Sequence, residues 1–442
     1  MEKIKTYLQS VTCVPVLLAL ALICFLLNQV PIIVFTWAAY VFAVLMICPD
    51  KKNIFPIFIF IPNFISNVYE QIFLKYYIVC VGLVILGVFY VFISTLIIKK
   101  KTANLGKMFY PILIADVAFL LAGVIDHFDI YQFLAVLGFC IILYPLYFIA
   151  LNNTENLNGS ILKYLIFGAV AIALLIFLQN IFLDAEIGIF HSRKNTWIGA
   201  LNINESAIYV MAGMIACLFV GLNKKYGFLY LALALFLYFT IVIMCSRCIM
   251  AISTVALAFL ICYVIILSEK KLYYFLTLLC AVLLIVVFYF SMRQAMDEAI
   301  EELKIRVLKG NLTGRDIIWK DCIERFKEYK IFGWGYLMTP NNTVAENSDT
   351  IIVFAHNTFI QWITCVGIIG TLLLVPYYVM KYYIVFNGKK LIKLPLIITV
   401  ICIELSGMLD SAASMSVFIY ILNYALLASA EQITQKKVKA DK

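Results

Sequence analysis

Apolar runs of about 20 residues follow one another along almost the whole chain, and each has the length a helix needs to cross a hydrocarbon core about 30 Å thick at a rise of about 1.5 Å per residue. Short polar connections separate them. No water-solvated fold has enough interior for so many such runs, so the bilayer must act as the solvent. Composition agrees: 64% of the 442 residues are hydrophobic and 13% are charged, where soluble domains carry about a quarter charged residues. The pattern predicts an all-α, polytopic transmembrane helical bundle of about twelve to fourteen spans, with the run at 54–68 the shortest. It reads as a single membrane domain over 1–442, with one long outer segment, 292–355, that contains short helices.

Orientation follows from the basic residues. Lys51 and Lys52, Lys99 to Lys101 with Lys107, Lys224 and Lys225, Lys270 and Lys271, Lys389 and Lys390, and the tail from Lys436 to Lys442 all fall on one side if the spans alternate. Lysine and arginine resist translocation, so that side is cytoplasmic and both termini lie inside. The same distribution explains the net charge of +9 without a nucleic-acid partner. Nearly all of the 13 cysteines sit in apolar runs, where they serve as small hydrophobes. No structural disulfide or metal site is expected. The apolar run from Val11 to Leu27 follows Met1-Glu-Lys-Ile-Lys and has no small-residue cleavage site, so it reads as an uncleaved first helix.

Alternation places three segments outside: about 183–205, the turn at Ser246-Arg247, and 292–355. In the last, Thr313 to Lys330 spaces Ile317, Ile318, Cys322, Ile323 and Phe326 as one apolar face of a helix capped by Thr313. Three histidines occur. His356 stands where the long outer segment enters the next span, and two readings are open for it: a proton acceptor, or an interfacial histidine making a hydrogen bond. His127 and His191 read as surface residues. Arg193, Arg247 and Arg315 lie on the outer side, against the positive-inside bias, so each needs an anionic partner. A diphosphate suits a planar guanidinium, which binds phosphate oxygens in pairs. Carboxylates such as Glu205 or Asp316, or lipid headgroups, suit it as well. Asp116, Glu404 and the Gln179-Asn180 pair lie at membrane depth, where such groups mark ion pathways or make interhelical hydrogen bonds, and no chemistry is assigned to them.

No P-loop, dinucleotide glycine motif, zinc-helix motif or serine-nucleophile elbow is present. No cofactor is therefore expected, and the energy of any reaction must come from the substrate. From about residue 183 the chain resembles the O-antigen ligase and O-antigen polymerase superfamily of bacterial membrane glycosyltransferases. The resemblance rests on Arg193 with Trp197-Ile198-Gly199 and Asn202-Ile203-Asn204, where Ile203 replaces a proline. It continues in Cys245-Ser246-Arg247 with Cys248-Ile249-Met250-Ala251, where Cys248 replaces a glycine. Gly314-Arg315 with Trp319, Lys330-Ile331-Phe332-Gly333-Trp334-Gly335, and His356-Asn357 with Gly367 and Gly370 complete it.

The resemblance implies a metal-independent, inverting transfer from a glycan on undecaprenyl diphosphate to a hydroxyl of an acceptor glycan. Arg193, Arg247 and Arg315 would hold the diphosphate, and His356 would take the proton. It implies a location in the bacterial cytoplasmic membrane, with membrane lipids and the lipid-linked donor and acceptor as partners and a chain-length regulator protein as a further one. Two functions share this chemistry: a polymerase of lipid-linked repeat units for capsule, exopolysaccharide or O-antigen, and a ligase passing glycan to lipid A core or protein. A lipid-linked oligosaccharide flippase is a third reading. It predicts cations lining a cavity within the spans, which contain almost none.

Overall fold

The computed structural model describes residues 2–27, 29–65, 71–99, 102–125, 130–182, 197–198, 201–222, 224–244, 246–291, 315–335, 355–388, 390–408 and 416–440. These residues are almost entirely helical. In chain order the helices are α1 (Glu2–Gln9), α2 (Cys13–Leu26), α3 (Val30–Ile47), α4 (Ile54–Phe60), α5 (Gln71–Ile98), α6 (Phe109–Leu120), α7 (Ile130–Asn152) and α8 (Leu157–Phe182). They continue with α9 (Ile203–Leu222), α10 (Gly227–Ile243), α11 (Arg247–Leu267), α12 (Lys271–Ser291), α13 (Arg315–Glu328), α14 (Thr358–Phe386), α15 (Lys390–Gly407) and α16 (Val417–Ala440).

Seven helices among the described residues are long and apolar enough to cross a membrane, and an eighth span results if α1 and α2, bent by 74°, count as one. Five shorter apolar helices accompany them. Large apolar side chains such as Leu86, Val255, Leu284 and Leu372 face outward, as lipid-facing surfaces require. The chain is a multi-pass membrane protein. The short run at 54–68 has another role: α4, continued by a 3₁₀ turn to Phe64, buries Ile54, Phe55, Ile57, Ile59 and Phe60. A short helix apolar on every side is an interior element, and the sequence count had included it among the spans.

The chain divides into two compact units. Unit 1 takes 1–84, 155–311 and 398–402, and unit 2 takes 85–154, 312–397 and 403–442. In unit 1, α9 is the central helix and packs on α8, α10 and α11. Gly213 permits the close approach to α8, since a Cβ there would stand 2.7 Å from the Leu165 carbonyl oxygen. Small residues at such crossings let helix backbones meet, which is how packing holds spans together when lipid and side chain are equally apolar. Before α9, Trp197–Ile198 and Leu201–Asn202 pair as a two-residue antiparallel β-hairpin, a local departure from an all-helical chain. The Asn202 carboxamide oxygen then accepts the Asn204 N–H at 2.9 Å, which caps the start of α9.

In unit 2, α14 packs on α6, α13 and α16, and α7 packs on α16 and α6. Buried Glu431 of α16 accepts the backbone N–H of Lys107 at 3.2 Å and the Tyr147 hydroxyl. Lys381 of α14, 2% exposed, pairs with Glu404 of α15. The spans therefore do contain a buried cation, but its carboxylate partner neutralises it, as burial demands.

Candidate functional site

Two of the expected site residues belong to unit 2, one belongs to unit 1, and one falls outside the described residues. Arg193, His127 and His191 fall outside the described residues, as do Cys245, Gly199, Gly314, Thr313 and most of 292–355. Arg247 belongs to unit 1 and is the first residue of α11, with Ser246 in extended conformation at the cap position. Arg247 thus opens a span, as the sequence indicated. Arg315 and His356 both belong to unit 2.

Arg315 opens α13, and Trp319 stands one turn further on the same face. The Trp319 indole N–H donates to the Ala355 carbonyl at 2.6 Å. The Ala355 N–H in turn donates to the Gln361 side-chain oxygen at 2.6 Å. Both polar backbone groups of the residue before His356 are therefore held by side chains. On the other side, Asn357 caps α14 by accepting the N–H groups of Phe359 and Ile360 at 3.0 and 3.1 Å, and it donates to the Met408 carbonyl at 2.7 Å. Between these clamps His356 adopts φ +49°, the left-handed region that costs a non-glycine residue about 1–2 kcal/mol.

The spacing from His356 to Gly367 acquires a structural reason. Gly367 breaks α14 with φ 65° and ψ −166°, a conformation essentially confined to glycine. An unbroken helix would send the N–H groups of Ile368 and Ile369 to the carbonyls of Thr364 and Cys365. Here they donate to the carbonyls of Lys330 and Ile331, at 2.8 and 3.2 Å, while Trp334 and Gly335 donate to Thr364 and Cys365 at 2.8 and 3.0 Å. The turn from Lys330 to Gly335 is spliced into the hydrogen-bond ladder of the helix. Gly333, at φ +75°, is required there, because a Cβ would lie 2.3 Å from the Cys365 oxygen. The same turn meets the end of α6, where the Gly123 N–H donates to Phe332 at 3.1 Å. The helix between the Asn357 cap and the Gly367 break is about 15 Å long, and it carries His356 at one end and the splice at the other.

Helix α13 buries only part of the apolar face that its spacing predicted. Ile317 and Ile323 are 55% and 45% exposed, whereas Cys322 and Arg325 are buried. Arg325 donates to the Asp321 carboxylate at 2.9 Å, and its guanidinium lies 4.6 Å from the centre of the Trp334 ring, which Tyr329 meets edge-on. Hydrogen bonding and cation–π contact thus satisfy the buried guanidinium on this amphipathic helix. Burial pushes the Cys322 thiol up to about 11, with Asp321 adding to the effect and Arg325 opposing it. Sequence reasoning had missed Arg325, Gln361 and the structural role of Trp319. The pairing of Asp321 with Arg325 one turn apart was the available signal for the first.

Residues 231–375 match the family described as O-Antigen ligase, a stretch that contains Arg247, Arg315, the spliced turn, His356 and Gly367. The match supports the resemblance to the O-antigen ligase and polymerase superfamily and indicates a membrane enzyme of that type. No curated protein matches the chain.

Proposed function

We propose that the chain polymerises undecaprenyl-diphosphate-linked oligosaccharide repeat units on the outer face of the cytoplasmic membrane, with both termini inside. The observation that carries this reading is the matched stretch, which holds a histidine clamped at the mouth of a span beside an arginine-bearing helix. In the reaction a hydroxyl of the acceptor glycan attacks the anomeric carbon of the donor sugar, the bond to the diphosphate breaks, and the configuration inverts. His356 accepts the hydroxyl proton, help worth about 10²- to 10⁴-fold in rate. Arg193, Arg247 and Arg315 bind the diphosphate and stabilise the charge that grows on it, so that no metal ion is needed to activate the leaving group.

A membrane assay tests this with the lipid-linked glycan purified from cells deleted for the gene. His356→Ala should lower chain growth about 10²- to 10⁴-fold while the protein level and donor binding persist, and chelating agents should leave the wild-type rate unchanged. Normal polymerisation by His356→Ala refutes the mechanism. The ligase is a second reading, favoured by the printed description of the matched family. It is distinguished by product: a polymerase lengthens the glycan on the lipid carrier, whereas a ligase moves it onto a lipid A core or protein acceptor.

A further inference from the structure

We infer that Trp319 is a positioning residue for the transfer, acting through Ala355 on the conformation of His356; this rests on the reading of His356 as the proton acceptor. A residue at positive φ stays there only when its surroundings over-determine it. Three restraints converge on His356. Trp319 and Gln361 fix the carbonyl and the N–H of Ala355, at 2.6 Å each. Asn357 fixes the following residue as a helix cap. Trp319 differs from the other two because it comes from another helix, α13, whose turn is separately spliced into α14 at Gly367. The indole N–H is thus the link through which the outer helix bearing Arg315 sets the backbone from which the imidazole projects.

This assignment gives Trp319 a role that aromatic packing alone would not. Its ring could be replaced by another without loss if it merely filled space, whereas a positioning role resides in the single N–H. Loss of that donor leaves the Ala355 carbonyl unheld, and His356 can then relax toward the ordinary helical or extended regions. The acceptor hydroxyl would still bind, but the base would be correctly placed for a smaller share of the time. The expected loss is about 5- to 10-fold, the worth of one hydrogen bond expressed as rate.

The experiment compares Trp319→Phe, Gln361→Met and His356→Ala, singly and with each of the first two combined with the third, as full-length protein in membranes with the purified lipid-linked glycan. Trp319→Phe should lower kcat about 5- to 10-fold, leave the KM for the donor unchanged, and have no further effect on the residual rate of His356→Ala. Gln361→Met, which acts on the other side of Ala355, should give the same pattern, so that misfolding of one variant leaves the other to decide. A wild-type kcat in both, or an equal fractional loss in the His356→Ala background, overturns the positioning role. Full activity of His356→Ala would instead remove the reading beneath it, so the two failures are distinguishable.

Discussion

Replacing Gly367 by alanine is the sharpest perturbation of this architecture. A Cβ at that position would stand 2.5 Å from the Gly333 nitrogen, 2.5 Å from the Ile331 oxygen and 2.7 Å from the Ile331 carbonyl carbon. All three are backbone atoms, so no side chain can swing aside. The φ of 65° with ψ −166° adds strain of about 1–3 kcal/mol for any residue with a Cβ. We take the cost to the spliced state as about 3 kcal/mol, the top of that range, because the clash is with rigid neighbours. The competing state is a straight α14, in which Ile368 and Ile369 recover Thr364 and Cys365 as acceptors while the turn from Lys330 to Gly335 departs. A shift of about 3 kcal/mol favours that state about a hundredfold over its present population.

Cys322 reports the outcome. Its rise from 9.0 to about 11 leaves about a hundredfold less thiolate near neutral pH than an unperturbed thiol would have, and the residue is buried. In the wild type a membrane-impermeant thiol reagent at pH 8 should label it slowly, as read by mass spectrometry of its peptide. Gly367→Ala should label at least tenfold faster and lose most transfer activity while remaining in the membrane. A variant that labels no faster than wild type and transfers at the normal rate would refute the splice as a functional element.

Arg247→Ala should raise the donor KM about 10- to 100-fold, the worth of a lost hydrogen-bonded charge, with Arg247→Lys restoring only part because the paired contact is lost; steady-state kinetics decide. Arg325→Met leaves Asp321 without its partner and removes the cation from Trp334, and should speed Cys322 labelling without any change in the charge-paired core at Lys381. Lys381→Met should lower detergent-solubilised stability by about 3–5 kcal/mol, since it strands the Glu404 carboxylate, and adding Glu404→Gln should recover most of that loss; thermal unfolding of the four proteins of the cycle gives the coupling. Cysteines placed near 200 and 340 should react with impermeant reagent added from outside, and reaction only from inside would invert the proposed topology.

Chain composition and local pattern determined that this protein is a helical membrane protein, and the order of its motifs determined the superfamily it resembles. These were legible because hydropathy is a property of each segment alone: a transmembrane helix satisfies its own backbone, so its length and apolarity identify it without reference to any partner. The glycines at 333 and 367 could be noticed in the same way, but their meaning could not. Four hydrogen bonds between the turn at Lys330–Gly335 and helix residues 30 to 38 positions away join them, and pairings at that separation leave no periodicity in a sequence. Tertiary structure likewise decided that α4 lies inside, that α13 buries Arg325 while Ile317 and Ile323 stay exposed, and that His356 is held at positive φ. In each case a contact beyond the local segment, whether a carbonyl to be satisfied, an aromatic face for a cation, or a neighbour's surface to be covered, decided what the local preference of the residues by themselves did not.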